Sequence, residues 1–220
     1  MESKALVKKA DKITINTSRI LWGLSIAAGG SIILYYLWIR GFIYLNFSQE
    51  VYTDYFWYRA PWLLVHVICG LIATLVGPLQ FVKAFRKRYL KVHRALGVAY
   101  LVSIAISTFV SFYLASTAQL GIVYATGLRM LGIVWFITTA MAYLAIVRRN
   151  LKMHNEWMIK SYVLTLSFVS FRFVEDLLAA MDISSFVDRK VLLAWGSWVI
   201  PFFLTVVILQ LIRLFKTSKA

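Results

Sequence analysis

Long stretches with few or no charged residues constrain the fold of this chain more than any other feature. A membrane-spanning helix needs roughly 20 apolar residues, because the hydrocarbon core of a bilayer is about 30 Å thick. Hydrophobic residues make up 61% of the chain and charged residues 15%, too few to cover a water-soluble domain. Five stretches qualify as spans one, two, three, four and six: residues 20–39, 60–82, 92–115, 124–147 and 191–212.

A sixth stretch, residues 157–180, is interrupted by Lys160 and Arg172. Lys160 can extend to the near interface, whereas Arg172 lies deeper and needs a partner. If this stretch is span five, 18 of the 24 Lys and Arg residues lie on the side of both termini. The positive-inside rule makes that side cytoplasmic. We therefore predict an all-α, six-transmembrane-helix bundle with cytoplasmic N and C termini, multi-pass in the plasma membrane.

The bundle is predicted to be one integral membrane domain over residues 1–220, with spans two to five, about residues 60–180, as its core. The first stretch is longer than the apolar region of a signal peptide and lacks a small-residue cleavage site, so we interpret it as a retained span. The net charge of +15 then lies on the cytoplasmic half. Membrane lipids with anionic headgroups are the expected partners of these basic loops, and no nucleic acid is expected.

Two histidines are predicted at the same depth near the cytoplasmic side, His93 at the start of span three and His154 at the start of span five. Neutral imidazoles on two helices can ligate one b-type haem through both axial positions. Gly97 follows His93 at i+4 and would admit the porphyrin, while Arg94 and Lys160 could hold its propionates. The alternative is a pair of interfacial histidines that bond headgroups, water or helix ends.

A second polar group is predicted near the outer side. It contains His66 in span two, Arg129 in span four, and Arg172, Glu175 and Asp176 late in span five. Arg172 can pair with either acid, because they follow it at i+3 and i+4. The functional interpretation is an anion or quinone-headgroup site, or one end of a proton path. The alternative is a structural network that satisfies Arg172.

One face of span five joins the two polar groups. His154 and Arg172 are 18 residues apart, five helical turns or roughly 27 Å. Ser161 and Thr165 lie between them on that face, which we expect to point into the protein because lipid would penalise it. Small and hydroxylated residues elsewhere are predicted to form helix contacts without chemistry: Gly29-Gly30, Ser103, Ser107, Ser111 and Thr138-Thr139.

Several short motifs between residues 66 and 177 form a recognisable set. They are His66 with Gly70, Gly77-Pro78-Leu79-Gln80-Phe81, Arg86 or Arg88, His93-Arg94 with Gly97 and Tyr100, Arg129 with Gly132 and Trp135, Thr138-Thr139, Arg148-Arg149, and His154 followed by Trp157-Met158-Ile159-Lys160-Ser161-Tyr162 and Arg172. About half of the chain thereby resembles an uncharacterised family of bacterial membrane proteins known only as a domain of unknown function. Where that family commonly has arginines, Asn155 and Lys160 stand here.

A weaker similarity is to the ascorbate-reducible transmembrane b-type cytochromes, which are six-span proteins with histidines on four central helices. This similarity implies that His93 and His154 form one haem pair and that His66 matches a ligand of a second haem. Span four contains no histidine, so a second bis-histidine haem is not expected.

The leading functional prediction is a membrane redox component that binds one haem and passes electrons from a cytoplasmic or quinone donor to an acceptor. One alternative is a non-redox binding or transport protein that handles an anionic lipid, a small anion or protons. Another is a structural subunit of a membrane complex. The sequence contains no recognised enzyme motif, so its catalytic residues are unknown and enzymatic activity stays open.

Overall fold

The computed structural model describes residues 24–217, apart from the side chains of residues 54–56, 216 and 217. All regular structure in that range is helical. α1 contains a π-helical turn at Leu37–Gly41 and ends in a 3-10 turn at Phe42–Leu45. The helices are α1 Leu24–Leu45, α2 Gln49–Trp57, α3 Ala60–Phe81, α4 Lys83–Arg88, α5 Leu90–Ser116, α6 Gly121–Val147, α7 Leu151–Thr165, α8 Ser167–Ala180 and α9 Phe186–Thr217.

Within the described residues, five helices are long and apolar enough to cross a membrane: α1, α3, α5, α6 and α9. They coincide with the predicted spans one, two, three, four and six. Span one was predicted to begin at residue 20, and its first residues lie outside the described part, as do the basic residues of the N-terminal arm. In lipid, helices are favoured because every backbone polar group finds its partner within the segment.

The predicted fifth span is two helices, α7 and α8, of 15 and 14 residues. The interruption is local, because the Leu166 amide donates to the Tyr162 carbonyl (3.1 Å) and the Ser170 amide donates to the Leu166 carbonyl (3.0 Å). The Ser167 hydroxyl donates to the Leu164 carbonyl (2.7 Å), and such side-chain bonds compete with the regular backbone pattern. The break is therefore about one residue wide.

Four elements form the core of the bundle. α3 packs on α5, α5 on α6, α6 on α7, and α7 returns to α3, while α9 covers α6, α7 and α8. Lipid tails are as apolar as the side chains, so close packing and hydrogen bonds hold such helices together. The core residues are Ala73, Tyr100, Ile104, Trp135, Ala142, Met158, Leu164 and Trp198.

α3 contains a proline near its end and nevertheless continues through Pro78 to Phe81. Proline has no backbone N–H, so the carbonyl of Thr74 loses its helical partner. The Tyr162 hydroxyl, from α7, donates to that carbonyl at 3.2 Å. A Cβ at Gly77 would overlap Cε2 and Cδ2 of the Tyr162 ring, so glycine is what lets the ring approach. α7 thus supplies the hydrogen bond that Pro78 removes from α3.

The last span is held on the core by a second close approach. A Cβ added at Gly127 of α6 would lie 2.8 Å from the carbonyl oxygen of Ala194 in α9. Beside it, the Trp195 indole donates to the Val123 carbonyl at 3.0 Å. Glycine at position 127 therefore sets the distance between α6 and α9.

Candidate functional site

The bundle has two polar ends, named here after one residue each. At the His93 end, α3 and α6 finish and α4, α5 and α7 begin; at the Arg172 end, α5 and α8 finish and α3, α6 and α9 begin. α9 returns to the His93 end, where Arg213 pairs with Glu156 of α7 (2.6 Å). The end of α1 lies at the Arg172 end, where Arg40 pairs with Asp176 (3.6 Å).

His154 is held in a defined orientation at the His93 end. Its ring is half-buried, and Nδ1 lies 2.8 Å from the carbonyl oxygen of Ala142 on α6. A carbonyl only accepts, so Nδ1 carries the proton and donates it. In the neutral ring the lone pair is then on Nε2. Asn150 caps α7 by accepting from the Met153 amide (3.0 Å), which fixes where the helix that presents His154 begins.

His93 faces the same end from α5 and is also half-buried. Arg86, Arg94 and His154 lie close enough for their charges to act on its ring. Its Nδ1 is buried and has no hydrogen-bond partner among the described residues. The structure therefore brings the two predicted histidines to one end of the bundle, with His154 already anchored and His93 not.

The other predicted members of this site are placed around the histidines. Gly97 lies one turn after His93, and the only atom within 4 Å of a Cβ built there is Oε1 of Gln80, at 3.4 Å. Arg94 is exposed. Lys160 is half-buried, with its ammonium 4.1 Å from the centre of the Trp157 ring, a cation–π contact that fixes its position.

These residues fit a bis-histidine haem by their chemistry. His154 has the arrangement usual for an axial ligand, in which a carbonyl accepts from Nδ1–H and leaves Nε2 for iron. Among the described residues, the Gln80 carboxamide of α3 is the one group that approaches the side of Gly97 that the ring would occupy. The described residues contain no group of three or more His, Cys, Asp or Glu that could hold a metal ion, but axial ligation of haem requires only two histidines.

The His93 end is strongly basic. Glu156 is its single acidic residue in the part of the chain that the structure describes, and Arg213 engages it. None of the ten cations below forms an ion pair with an acid there, so an anionic partner would meet little competition. They are Lys83, Arg86, Lys87, Arg88, Lys91, Arg94, Arg148, Arg149, Lys152 and Lys160.

Midway through the bundle, a buried hydrogen-bond network joins α5, α6 and α7. The Tyr100 hydroxyl lies 2.9 Å from Ser161 Oγ and 3.0 Å from Thr165 Oγ1. The Trp135 indole donates to Thr165 Oγ1 (3.0 Å), and Thr139 Oγ1 lies 2.7 Å from Ser161 Oγ. The sequence placed Ser161 and Thr165 on an interior face but missed Trp135 and Thr139 as their partners, because no spacing rule links residues of different helices.

Backbone carbonyls determine the direction of the hydrogen bonds in this network. Thr139 donates to the Trp135 carbonyl (2.7 Å), and Thr165 donates to the Ser161 carbonyl (3.0 Å). Ser161 must then donate to Thr139, and Tyr100 to Ser161 or Thr165. Donation ends on backbone carbonyls, which cannot release a proton onward. We therefore interpret the network as structural: it holds α5, α6 and α7 in fixed relative positions.

At the Arg172 end, the predicted ion pair is present: Nη1 of Arg172 lies 3.4 Å from Oε2 of Glu175. The sequence missed Lys190 of α9, which pairs with the other carboxylate oxygen of Glu175. Lys190 also lies 5.3 Å and 5.0 Å from the ring centres of Phe171 and Phe186. Glu175 thus satisfies two cations, which supports the structural alternative for this region.

The other two members predicted for the outer group, His66 and Arg129, bond to serines of α5. His66 faces α5, with Nδ1 2.9 Å from Ser107 Oγ and 3.2 Å from the Ser107 carbonyl oxygen. Arg129 donates to Ser116 Oγ (3.1 Å). Throughout the described range, no hydrogen bond or ion pair links either residue to Arg172 or Glu175. His66 and Arg129 thus have hydrogen-bond partners of their own, Ser107 and Ser116, outside the ion pair of Glu175.

Comparison with known proteins gives one family. A family model described as "Predicted membrane protein (DUF2306)" matches residues 63–209, well over half of the chain. No curated protein and no solved structure matches the chain. The match confirms the resemblance to a membrane protein family of unknown function, whereas the similarity to b-type cytochromes is not shown by it.

Proposed function

This chain belongs to the DUF2306 family of predicted membrane proteins, and from that premise we propose that it is a redox component of the cell membrane that binds one b-type haem between His93 and His154. The family description gives no activity, so the proposal rests on the residues of this chain. An electron donor, either a quinone or a cytoplasmic protein, and an electron acceptor are its implied partners.

The observation that supports haem binding most is the 2.8 Å hydrogen bond from Nδ1 of His154 to the Ala142 carbonyl. It orients the ring and leaves Nε2 available to iron. His93 supplies the second imidazole from α5, which lies across the core from α7.

Four residues of the chain would have direct roles in binding the haem. His93 and His154 would ligate the iron, and Arg94 and Lys160 would neutralise the propionates. The bound haem would supply one-electron chemistry. The apolar side chains around the core would exclude water from it and so influence its reduction potential.

We expect the purified protein from haem-replete cells to show the absorption bands of a six-coordinate b-type haem, which shift on reduction with dithionite. His93→Ala or His154→Ala should each abolish or strongly alter the bands, because each removes an axial ligand. His66→Ala is the matched control: the chain has three histidines, and His66 lies on α3 against Ser107. The measurement is the oxidised and reduced absorption spectrum.

A colourless wild-type protein would contradict the haem proposal, as would a spectrum that neither substitution at the His93 end changes. Loss of colour in all three histidine variants would indicate misfolding instead. Size-exclusion profiles of the same samples separate that case from loss of a ligand.

We also propose six membrane spans with both termini cytoplasmic. α7 and α8 together cover residues 151–180, roughly 45 Å of helix and enough to cross a bilayer. The Arg213–Glu156 and Arg40–Asp176 pairs support six passages between the two ends. The unpaired cations of the His93 end favour the cytoplasmic side.

Reporter fusions test this topology. We expect a reporter that is active only in the cytoplasm to work at the C terminus, and one that is active only outside to work between residues 45 and 49. Accessibility of a single cysteine in that connection to an impermeant reagent provides a second readout, after Cys69→Ala. Labelling of the connection only from the cytoplasmic side would overturn the orientation.

A further inference from the structure

Two buried side-chain nitrogens at the His93 end have no hydrogen-bond partner among the described residues: Nε2 of Gln80, which is a donor, and Nδ1 of His93, which donates when it carries the ring proton. The Gln80 residue is only 8% exposed, so water reaches its amide poorly. A buried donor without a partner costs about 1–3 kcal/mol. Two unpartnered nitrogens at the same end of the bundle suit a ligand that offers acceptor oxygens.

Gln80 and His93 lie near the same side of α5. Gln80 lies over Gly97, with Oε1 3.4 Å from the position of a Cβ there. His93 lies one turn earlier on the same side of α5, since residues four apart share a helix face. The space beside these groups is defined here as the Gln80 recess, with five surrounding residues: Gln80, His93, Gly97, Arg86 and Arg94.

The charges around the Gln80 recess are all positive. Arg86 and Arg94 act on the His93 ring. No carboxylate competes, because Glu156, the one described acid at this end, is engaged by Arg213. Guanidinium, amide and imidazole N–H groups without an acidic neighbour match an anion with several acceptor oxygens.

We propose that the Gln80 recess binds a phosphate-type oxyanion, either the headgroup phosphate of an anionic phospholipid or free inorganic phosphate. Its oxygens accept from Nε2 of Gln80 and Nδ1 of His93, and Arg86 and Arg94 balance its charge. The site shares His93, Gly97 and Arg94 with the proposed haem site, but haem ligation would use Nε2 of His93 whereas the anion would use Nδ1. It also differs from the anion site expected at the Arg172 end, where Arg172 and Lys190 have a carboxylate partner.

The test measures the unfolding temperature of the purified protein in a neutral detergent. One arm adds inorganic phosphate against chloride at equal ionic strength; the other adds phosphatidylglycerol against phosphatidylcholine to the micelles. We expect a rise of roughly 5 °C or more at a ligand concentration about 100-fold above Kd. Stabilisation by phosphate identifies the free anion, and stabilisation by phosphatidylglycerol alone identifies the lipid headgroup.

Gln80→Leu provides the diagnostic variant, because leucine is similar in size and removes the amide. Without ligand, its unfolding temperature should equal or exceed that of the wild type, since a stranded donor has been removed. With ligand, the rise should disappear. Gln119→Leu, the same exchange at an exposed position at the Arg172 end, should retain the full rise.

Arg86→Gln, at an exposed position, covers the case in which Gln80→Leu fails to fold. It should leave the ligand-free unfolding temperature unchanged and reduce the ligand-dependent rise. Absence of any rise in the wild type with either ligand would overturn the proposal, as would an undiminished rise in both variants. Absorption spectra of the same samples report haem separately, so either proposal can fail without the other.

Discussion

We expect Glu175→Leu to lower the free energy of unfolding by about 3–5 kcal/mol. The Glu175 and Lys190 side chains are only 12% and 10% exposed, so their charges compensate each other away from water. Removing the carboxylate leaves Lys190 buried without its counter-ion and also deprives Arg172 of its partner. SDS or thermal unfolding in detergent, followed by tryptophan fluorescence, measures the loss.

Two further variants separate a stranded charge from lost packing. Glu175→Leu combined with Lys190→Met should recover much of the loss, because an apolar pair of similar volume avoids the buried charge. Asp176→Asn is the matched control: the side chains of Asp176 and Arg40 are 42% and 47% exposed, and exposed pairs contribute about 0–1 kcal/mol. A double variant no more stable than Glu175→Leu would contradict this account.

Gly77→Ala is expected to cost about 3 kcal/mol, at the upper end for overpacking a core. The new methyl group would overlap the Tyr162 ring and lie 3.3 Å from its Cζ. The ring cannot simply withdraw, because its hydroxyl donates to the Thr74 carbonyl freed by Pro78, and it packs against Phe81 with ring centres 5.8 Å apart. α3 and α7 must then separate, which the same unfolding measurement detects.

Gly70→Ala is the control for that change. It lies on α3 seven residues earlier, and a Cβ there meets nothing within 4 Å. Alanine is favoured over glycine in a helix by up to about 1 kcal/mol, so this variant should be neutral or stabilised. Adding Tyr162→Ala to Gly77→Ala would remove the steric overlap but would also leave the Thr74 carbonyl without a donor. The double variant should therefore be little more stable than Gly77→Ala alone. Equal stability of Gly77→Ala and Gly70→Ala would refute the close approach.

The membrane-spanning segments were predictable because their signal is local. A run of about 20 apolar residues is enough to favour a helix in lipid, whatever its neighbours are. Five of the predicted spans were found in this way, and the boundary between spans three and four falls where predicted, with α5 ending at Ser116 and α6 starting at Gly121. Span five was less regular than predicted: it is interrupted at Leu166, where the Ser167 hydroxyl donates to the Leu164 carbonyl.

Residues on one helix were also paired correctly from the sequence. Arg172 and Glu175 are three positions apart, and the i+3 geometry alone brings them together. Lys190 was not predicted to join them, because the contact depends on how α9 lies against α8. Likewise, His66 and Arg129 were placed with Arg172 by depth alone, although depth does not specify which neighbour a side chain faces.

The sequence by itself determined a helical membrane protein and the positions of five apolar spans. These follow from hydrophobicity and helical periodicity, which act along the chain. Only the tertiary structure decided that the Tyr162 hydroxyl donates to the Thr74 carbonyl, which has no helical partner. It also decided that the Ala142 carbonyl orients His154 and that Gln80 lies over Gly97. Each of these contacts joins two helices, so its geometry depends on how the helices are rotated and how far apart they lie. Close packing between helices sets the rotation and the distance, and no local sequence pattern specifies them.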